Sequence, residues 1–204
     1  MDKKNMTTKD MIIANSYKLF LKKGYKGVSM RDVLEATDLS KGGFYHYFKS
    51  KRELFRVIVE KYLYQASDTA FDFQDILKKS PEELLDFYHS QLSAMLEEFI
   101  ASMDGEIEGV NFYLLIIDSL IYLPELENRQ IKSQQREHMF WKKYLEKAIE
   151  NDMIREDIDT DKMATIFRFL QDGVGMNGFL RNRTREMAAT SKDLFRQIFD
   201  LMKK

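Results

Sequence analysis

The sequence predicts an all-α protein, and three observations predict it. Of 204 residues only 9 are Gly and 2 are Pro, far from the turn-rich composition of β-proteins or disordered chains. A capping residue followed three positions later by an acid recurs at Thr7/Asp10, Ser29/Asp32, Ser50/Glu53, Ser80/Glu83 and Thr190/Asp193. In that pairing the cap accepts a first-turn N–H while the acid reaches back to the cap's own N–H. Between these starts the apolar residues recur at intervals of three and four, and no stretch alternates convincingly like a strand.

Taken in order, the first helix is expected over 8–23. Ile12, Ile13, Ser16, Leu19 and Phe20 share one face, with small Ser16 where another backbone can come close. Lys22 and Lys23 face the negative end of its dipole, and Gly24 is free to take a left-handed cap. Two short helices follow at 30–37 and 41–48, then one over 51–73 that at 1.5 Å per residue would run roughly 30 Å. "SPEEL" opens a helix over 81–103, with Pro81 at the first position, where its missing N–H costs nothing. The apolar run "VNFYLLIIDSLIYL" at 110–123 lies in a helix over 108–123. It is shorter than the roughly 20 residues that cross a bilayer and carries Asp118, which marks a buried core helix. Helices over 125–151, 161–181 and 191–203 complete the chain, and "MDGEIEG" at 103–109 reads as a solvated loop.

Composition excludes several function classes. There is no cysteine, which removes disulfides, thiolate zinc sites and cysteine nucleophiles, and three histidines are few for a metal site. The N-terminal residues lack the apolar stretch of a signal peptide, so a cytoplasmic protein with no membrane partner is expected. The net charge of -1 hides an asymmetry: residues 1–61 carry 14 Lys and Arg against 7 Asp and Glu, the remainder 18 against 26. A basic N-terminal region and an acidic remainder have different electrostatic partners.

The stretch "LSKGGFYHYFKSKREL" at 39–54 is where the basic region departs from helix propensity. Two short helices joined by "DLS" behind a supporting helix describe a helix-turn-helix, its small core supplied by Val33, Leu34, Leu39 and Phe44. Gly42 and Gly43 each cost about 1 kcal/mol relative to Ala inside a helix. At the first turn of a recognition helix they let backbone N–H groups approach phosphates and base edges. Ser40 is its cap, Lys41 a phosphate or base contact, and Tyr45, His46 and Tyr47 offer polar tips at the groove. Lys49, Lys51 and Arg52 cluster where cations oppose the next helix's dipole, an arrangement that an anionic phosphate improves.

From Ile12 to about Leu54 these residues resemble the DNA-binding domain of the TetR family of bacterial transcription regulators. The resemblance rests on the first helix through "KGY", on "VSMRDVLEATDLSKGGFYHYF" and on "KSKREL". It implies a helix-turn-helix DNA-binding domain over 1–60 joined by a shared helix to an effector-binding and dimerisation domain over 61–204. It further implies Ser29 and Ser40 as phosphate-binding caps, Lys41, Gly42, Gly43 and His46 as groove contacts, and Tyr45, Tyr47 and Lys51 as phosphate contacts. Gly43 stands where Thr or Ser is frequent and Tyr47 where His is usual, which leaves base preference open.

In the acidic remainder, "GVGMNG" at 173–178 satisfies G-x-G-x-x-G, but its lead-in has helical spacing rather than the strand a dinucleotide site needs. Glycines in a helix instead permit close packing. The resemblance places a four-helix dimer interface on 125–151 and 161–181, including Trp141. Tyr88, Met95, Phe112, Tyr113 and Met139, with neighbouring Phe87, can line an apolar pocket with Asp118 as its polar anchor; the same stripes fit plain core. The expected function is a homodimeric, ligand-responsive transcriptional regulator without cofactor or enzymatic activity, a repressor released from a palindromic double-stranded operator by a small apolar or amphipathic effector. The alternatives are a sequence-indifferent DNA-binding or adaptor protein, or a helical-bundle metal enzyme, for which Asp86 and His89 offer one near match to Glu-x-x-His.

Overall fold

The computed structural model describes residues 6–64, 76–102 and 109–204. Its helices are α1 (Thr8–Gly27), α2 (Met30–Thr37), α3 (Lys41–Tyr47), α4 (Lys51–Val59), α5 (Pro81–Ser102), α6 (Gly109–Tyr122), α7 (Glu127–Glu150), α8 (Thr160–Leu180) and α9 (Met187–Met202). No strand occurs among the described residues. Four of the five capping pairs read from sequence hold: the side chains of Thr7, Ser29, Ser50 and Ser80 each accept a first-turn N–H. Ser40 does the same for α3. Thr190 does not cap, because α9 begins three residues earlier, at Met187. Met187 and Ala188 are buried, and a Cβ on Gly178 of α8 would sit 2.2 Å from Met187 Cγ. Close packing there extends the helix past its local start signal.

α1 breaks at Gly24, whose φ of 67° and ψ of 169° suit glycine, before a last short turn to Gly27. α4 passes into a π-helical turn at Glu60–Tyr64; the rest of the helix expected to 73, like most of the 103–109 loop, lies outside the described residues.

The chain forms two compact units. The first comprises residues 1–69 and 103–127, and so adds α6 to α1–α4. Its core holds Ile12, Phe20, Val33, Phe44, Phe48, Leu54, Phe55 and Ile58, with Leu115 and Leu123 contributed from the α6 region. A boundary at residue 60 would assign α6 elsewhere. The helix instead packs closely on α1.

The second unit comprises 70–102 and 128–204. Trp141, Phe167, Phe195 and Phe199 form its aromatic centre, with Trp141 4.7 Å from Phe167 and 5.2 Å from Phe195 between ring centroids. Trp141, expected at a dimer interface, is 1% exposed inside this core. Its position on α7 shares a face with Tyr144, Leu145 and Ala148, all buried, so the helix turns that face inward. The G-x-G-x-x-G stretch runs uninterrupted through α8.

Candidate nucleic-acid interface

α2 is held by a full capping box. Ser29 accepts from Asp32 N–H, while Ser29 N–H donates to the Asp32 carboxylate at 2.7 Å. Lys23 and the Ser29 hydroxyl also engage that carboxylate, and the Lys23 hydrogen bond before all holds it well below the usual range. Asp38 closes the helix in the left-handed conformation (φ 53°, ψ 38°), a backbone state that Asp tolerates better than most residues. That residue turns the chain into α3.

α3 buries only Phe44. The Ser40 hydroxyl accepts from Gly43 N–H at 3.1 Å, and Lys41, Gly42, Tyr45 and His46 are exposed. A Cβ on Gly42 would meet nothing within 4 Å. Packing inside the unit therefore does not require this glycine, and its helix cost is uncompensated in the free chain. Gly43 is tighter, its Cβ position lying 3.4 Å from Ser40 Oγ. The Tyr45 ring sits edge-on to Phe44 and keeps 45% of its surface exposed. Tyr47 is partly buried against the core, with His46 edge-on at 4.9 Å.

Lys51, expected as a phosphate contact, holds backbone in a way that the sequence does not disclose. Its ammonium donates to Tyr25 O at 2.8 Å and Val28 O at 2.5 Å and lies 4.4 Å from the centre of the Tyr25 ring. Burial pulls its pKa down. Tyr25 is also held on its other side by α6, since its N–H donates to Asp118 Oδ2 at 2.6 Å. Asp118, expected as a pocket anchor, thus carries a backbone donor of the helix-turn-helix unit. Around it Asn111 donates to Leu21 O at 3.0 Å, and Arg52 joins Glu125 at 2.6 Å and Tyr122 O at 3.2 Å. A carboxylate that meets the chain beside a glycine more than ninety residues away gives no local signal.

The six expected pocket residues fall in both units. Phe112 packs against the first unit's core, and Tyr113 is on the same helix as Asp118. Tyr88 belongs to the second unit's aromatic centre, 6.0 Å from Trp141 and 5.9 Å from Phe195. Met95 and Met139 are nearly half exposed. Asp86, half of the near match to a metal motif, pairs with Lys192. Among the residues that sequence reasoning misses are Glu137, Arg168 and Asp172, charged groups that act on one another beside Tyr88.

Residues 12–58 match the family described as bacterial regulatory proteins, tetR family. The chain is 24% identical over 168 residues to the HTH-type transcriptional repressor KstR2 of Mycolicibacterium smegmatis, covering 80% of this chain and 74% of that one. It is 28% identical to the biofilm operon icaADBC negative regulator IcaR of Staphylococcus epidermidis, covering 63% and 62%. It is also 31% identical to the regulator YerO of Bacillus subtilis, where it spans 39% of that protein's length. In fold it is similar to a TetR regulator from Haloarcula marismortui (TM-score 0.71, 16% identity, 97% and 98% of the two chains). It is likewise similar to PfmR from Thermus thermophilus (TM-score 0.66, 23% identity, 91% and 97%). Residues 12–58, which hold the helix-turn-helix, thus belong with the bacterial regulatory proteins of the tetR family, and the chain along nearly its whole length shares the all-helical fold of the solved TetR regulators.

Proposed function

We propose that the protein is a homodimeric, ligand-responsive transcriptional regulator that represses from a palindromic operator until a small effector releases it. A DNA reader of this kind works in the bacterial cytoplasm. The observation that carries the reading is α3. An exposed seven-residue helix presents Lys41, open Gly42, Tyr45 and His46 from a buried Phe44 anchor, and in such a motif it enters a major groove. Lys51, already bonded to two carbonyls, contributes to that surface by holding the end of α1 as well as by its charge.

The dimer contact is proposed on the outer face of α8. Ile166, Phe169, Met176 and Leu180 are 42–61% exposed there, and with Gly173 they repeat at intervals of three and four, the seam of a helix pair. Nothing lies within 4 Å of the Cβ positions of Gly173 and Gly175. A groove of about 480 Å³ between α8 and α9, lined by Phe169, Gly173, Asn177 and Leu194, continues that face. A second copy presenting the same stripe fills it with helix-on-helix packing. α7 already turns its apolar face to the core, so α9 is the natural second member of the pair.

The test is fluorescence anisotropy with DNA flanking the gene, against a scrambled duplex, at several salt concentrations. Selective binding that Lys41→Ala weakens, with a salt slope shallower by about 1, is the expected outcome. Equal affinity for both duplexes reduces the protein to a sequence-indifferent DNA binder.

A further inference from the structure

We propose that His46 of α3 is a proton sensor in the recognition helix, charged on DNA and neutral away from it, so that operator binding tightens as pH falls through the neutral range. This names a regulation of the α3 surface and rests on the DNA-binding reading above.

His46 lies in the last turn of α3, where the helix dipole favours a cation. It is exposed, its ring edge-on to Tyr47, and it makes no hydrogen bond or ion pair among the described residues. Gly42 is one turn earlier on the same side of the helix, and with nothing within 4 Å of its Cβ position no side chain crowds His46 from that direction. The charges on the surrounding elements are committed elsewhere. On α2, Glu35 pairs with Arg31 at 2.7 Å and Asp32 with Lys23. On the α4 side, Glu53 accepts from Lys49 N–H at 2.6 Å, Lys51 donates to Tyr25 O and Val28 O, and Arg52 joins Glu125. Lys9 of α1 lies 5.8 Å from the centre of the Phe48 ring. α3 itself adds Lys41, Tyr45 and Tyr47 but no acid, and Asp38 is exposed in the turn at its other end. Among the described residues no carboxylate engages His46, so the anion that an imidazolium there would pair with comes from outside the chain. A duplex supplies it, at roughly one negative charge per 1.7 Å of its axis.

Linkage fixes the sign. Histidine is the side chain whose ordinary titration, at about 6.5, falls between pH 5 and 8. The phosphate field favours the charged ring, so the DNA-bound state takes up a proton that the free protein lacks. Affinity is then level and highest in acid, falls with rising pH by at most about tenfold per unit for each proton taken up, and is level again once the ring is neutral on DNA as well. The same charge enters the salt dependence, since each protomer with an ionised His46 releases about one more counterion from the duplex.

The test is anisotropy of the full-length protein on DNA flanking the gene and on a scrambled duplex, at pH 8 and pH 6 and at several salt concentrations. From pH 8 to pH 6 affinity for the flanking duplex should rise about tenfold, and the salt slope should steepen by about 1 for each protomer bound. His46→Gln should bind as the parent does at pH 8 and lose the gain at pH 6, while His46→Lys should hold the low-pH affinity at both. The chain's other two histidines, His89 and His138, are in the second unit, and their Gln variants should keep the response. Glu137→Gln, which removes the carboxyl that titrates at about 7, should keep it too. Equal affinity at the two pH values, or a gain that His46→Gln leaves undiminished, overturns the proposal; failure to bind either duplex overturns it together with the regulator reading. Preference for the flanking DNA without a pH response sinks the sensor alone, and a His46-dependent response with equal affinity for both duplexes sinks the regulator alone.

Discussion

The two units treat interior charge in opposite ways. In the first, the polar side chains that reach inward from α4 and α6 end on the chain's own backbone: Asp118 on Tyr25 N–H, Lys51 on Tyr25 O and Val28 O, Asn111 on Leu21 O. In the second, the Nε of Arg168 is sealed from water without a hydrogen-bond partner among the described residues, burial pushes the Glu137 carboxyl up, and the ion pairs of Asp86 with Lys192 and Glu82 with Arg196 lie toward the surface. The difference teaches what each unit is built to meet. A unit whose inward charges are satisfied by its own peptide groups holds one geometry, as a DNA reader must. The second unit instead keeps a carboxyl, Glu137, whose titration burial pushes up to about 7.

Substitutions at three positions would break or sharpen this comparison. The largest effect is expected at Asp118→Ala, which strands the Tyr25 N–H beside Gly24 and should cost about 1–3 kcal/mol. Urea unfolding should show the loss, Asp118→Asn should recover part of it through its amide oxygen, and an unchanged midpoint would mean the clasp contributes nothing. Glu137→Gln should act in the opposite sense. Because the folded carboxyl titrates near 7 against an ordinary 4.5, the folded state binds the extra proton between those values. Stability is then fully present below about 4.5, falls by at most about 1.4 kcal/mol per pH unit as pH rises toward 7, and is flat above. The amide variant should therefore be more stable than the parent at pH 8, by about 1–2 kcal/mol, with the advantage gone at pH 4.5; equal stability at both would place the carboxylate in water. The smallest effect belongs to Gly42→Ala. With open space around the Cβ position, thermal unfolding should show a gain of about 0.5–1 kcal/mol, while operator affinity falls. A variant that both gains stability and binds as before would leave the glycine without a role.

Much of this is legible in the sequence because its causes are local. The caps at Thr7, Ser29, Ser40, Ser50 and Ser80 each operate within a single turn, and the helix-turn-helix is a run of such signals in a fixed order. The α9 start escapes a local reading for the converse reason: Thr190 and Asp193 form a plausible pair, but burial of Met187 against Gly178 outweighs it. The resemblance puts Trp141 at a dimer interface and periodicity does not correct it, because an apolar face has the same spacing whether a partner chain or the same chain covers it. Glu137, Arg168 and Asp172 pass unnoticed since charged residues on a helix normally read as a solvated face.

The sequence by itself determined the all-helical class, the order of the helices and most of their starts, the short helix at 41–47 with its glycines, and the basic and acidic regions. These depend on residues within a turn of one another or on summed charge. Only the tertiary structure decided that α6 joins the first unit, that Asp118 and Lys51 hold the N–H and the carbonyl of one residue, Tyr25, and that Glu137 is buried near the charges of Arg168 and Asp172. Each of these depends on contacts between residues far apart in the chain, and the free energy that selects among them is set by which faces pack together, a quantity no local window contains.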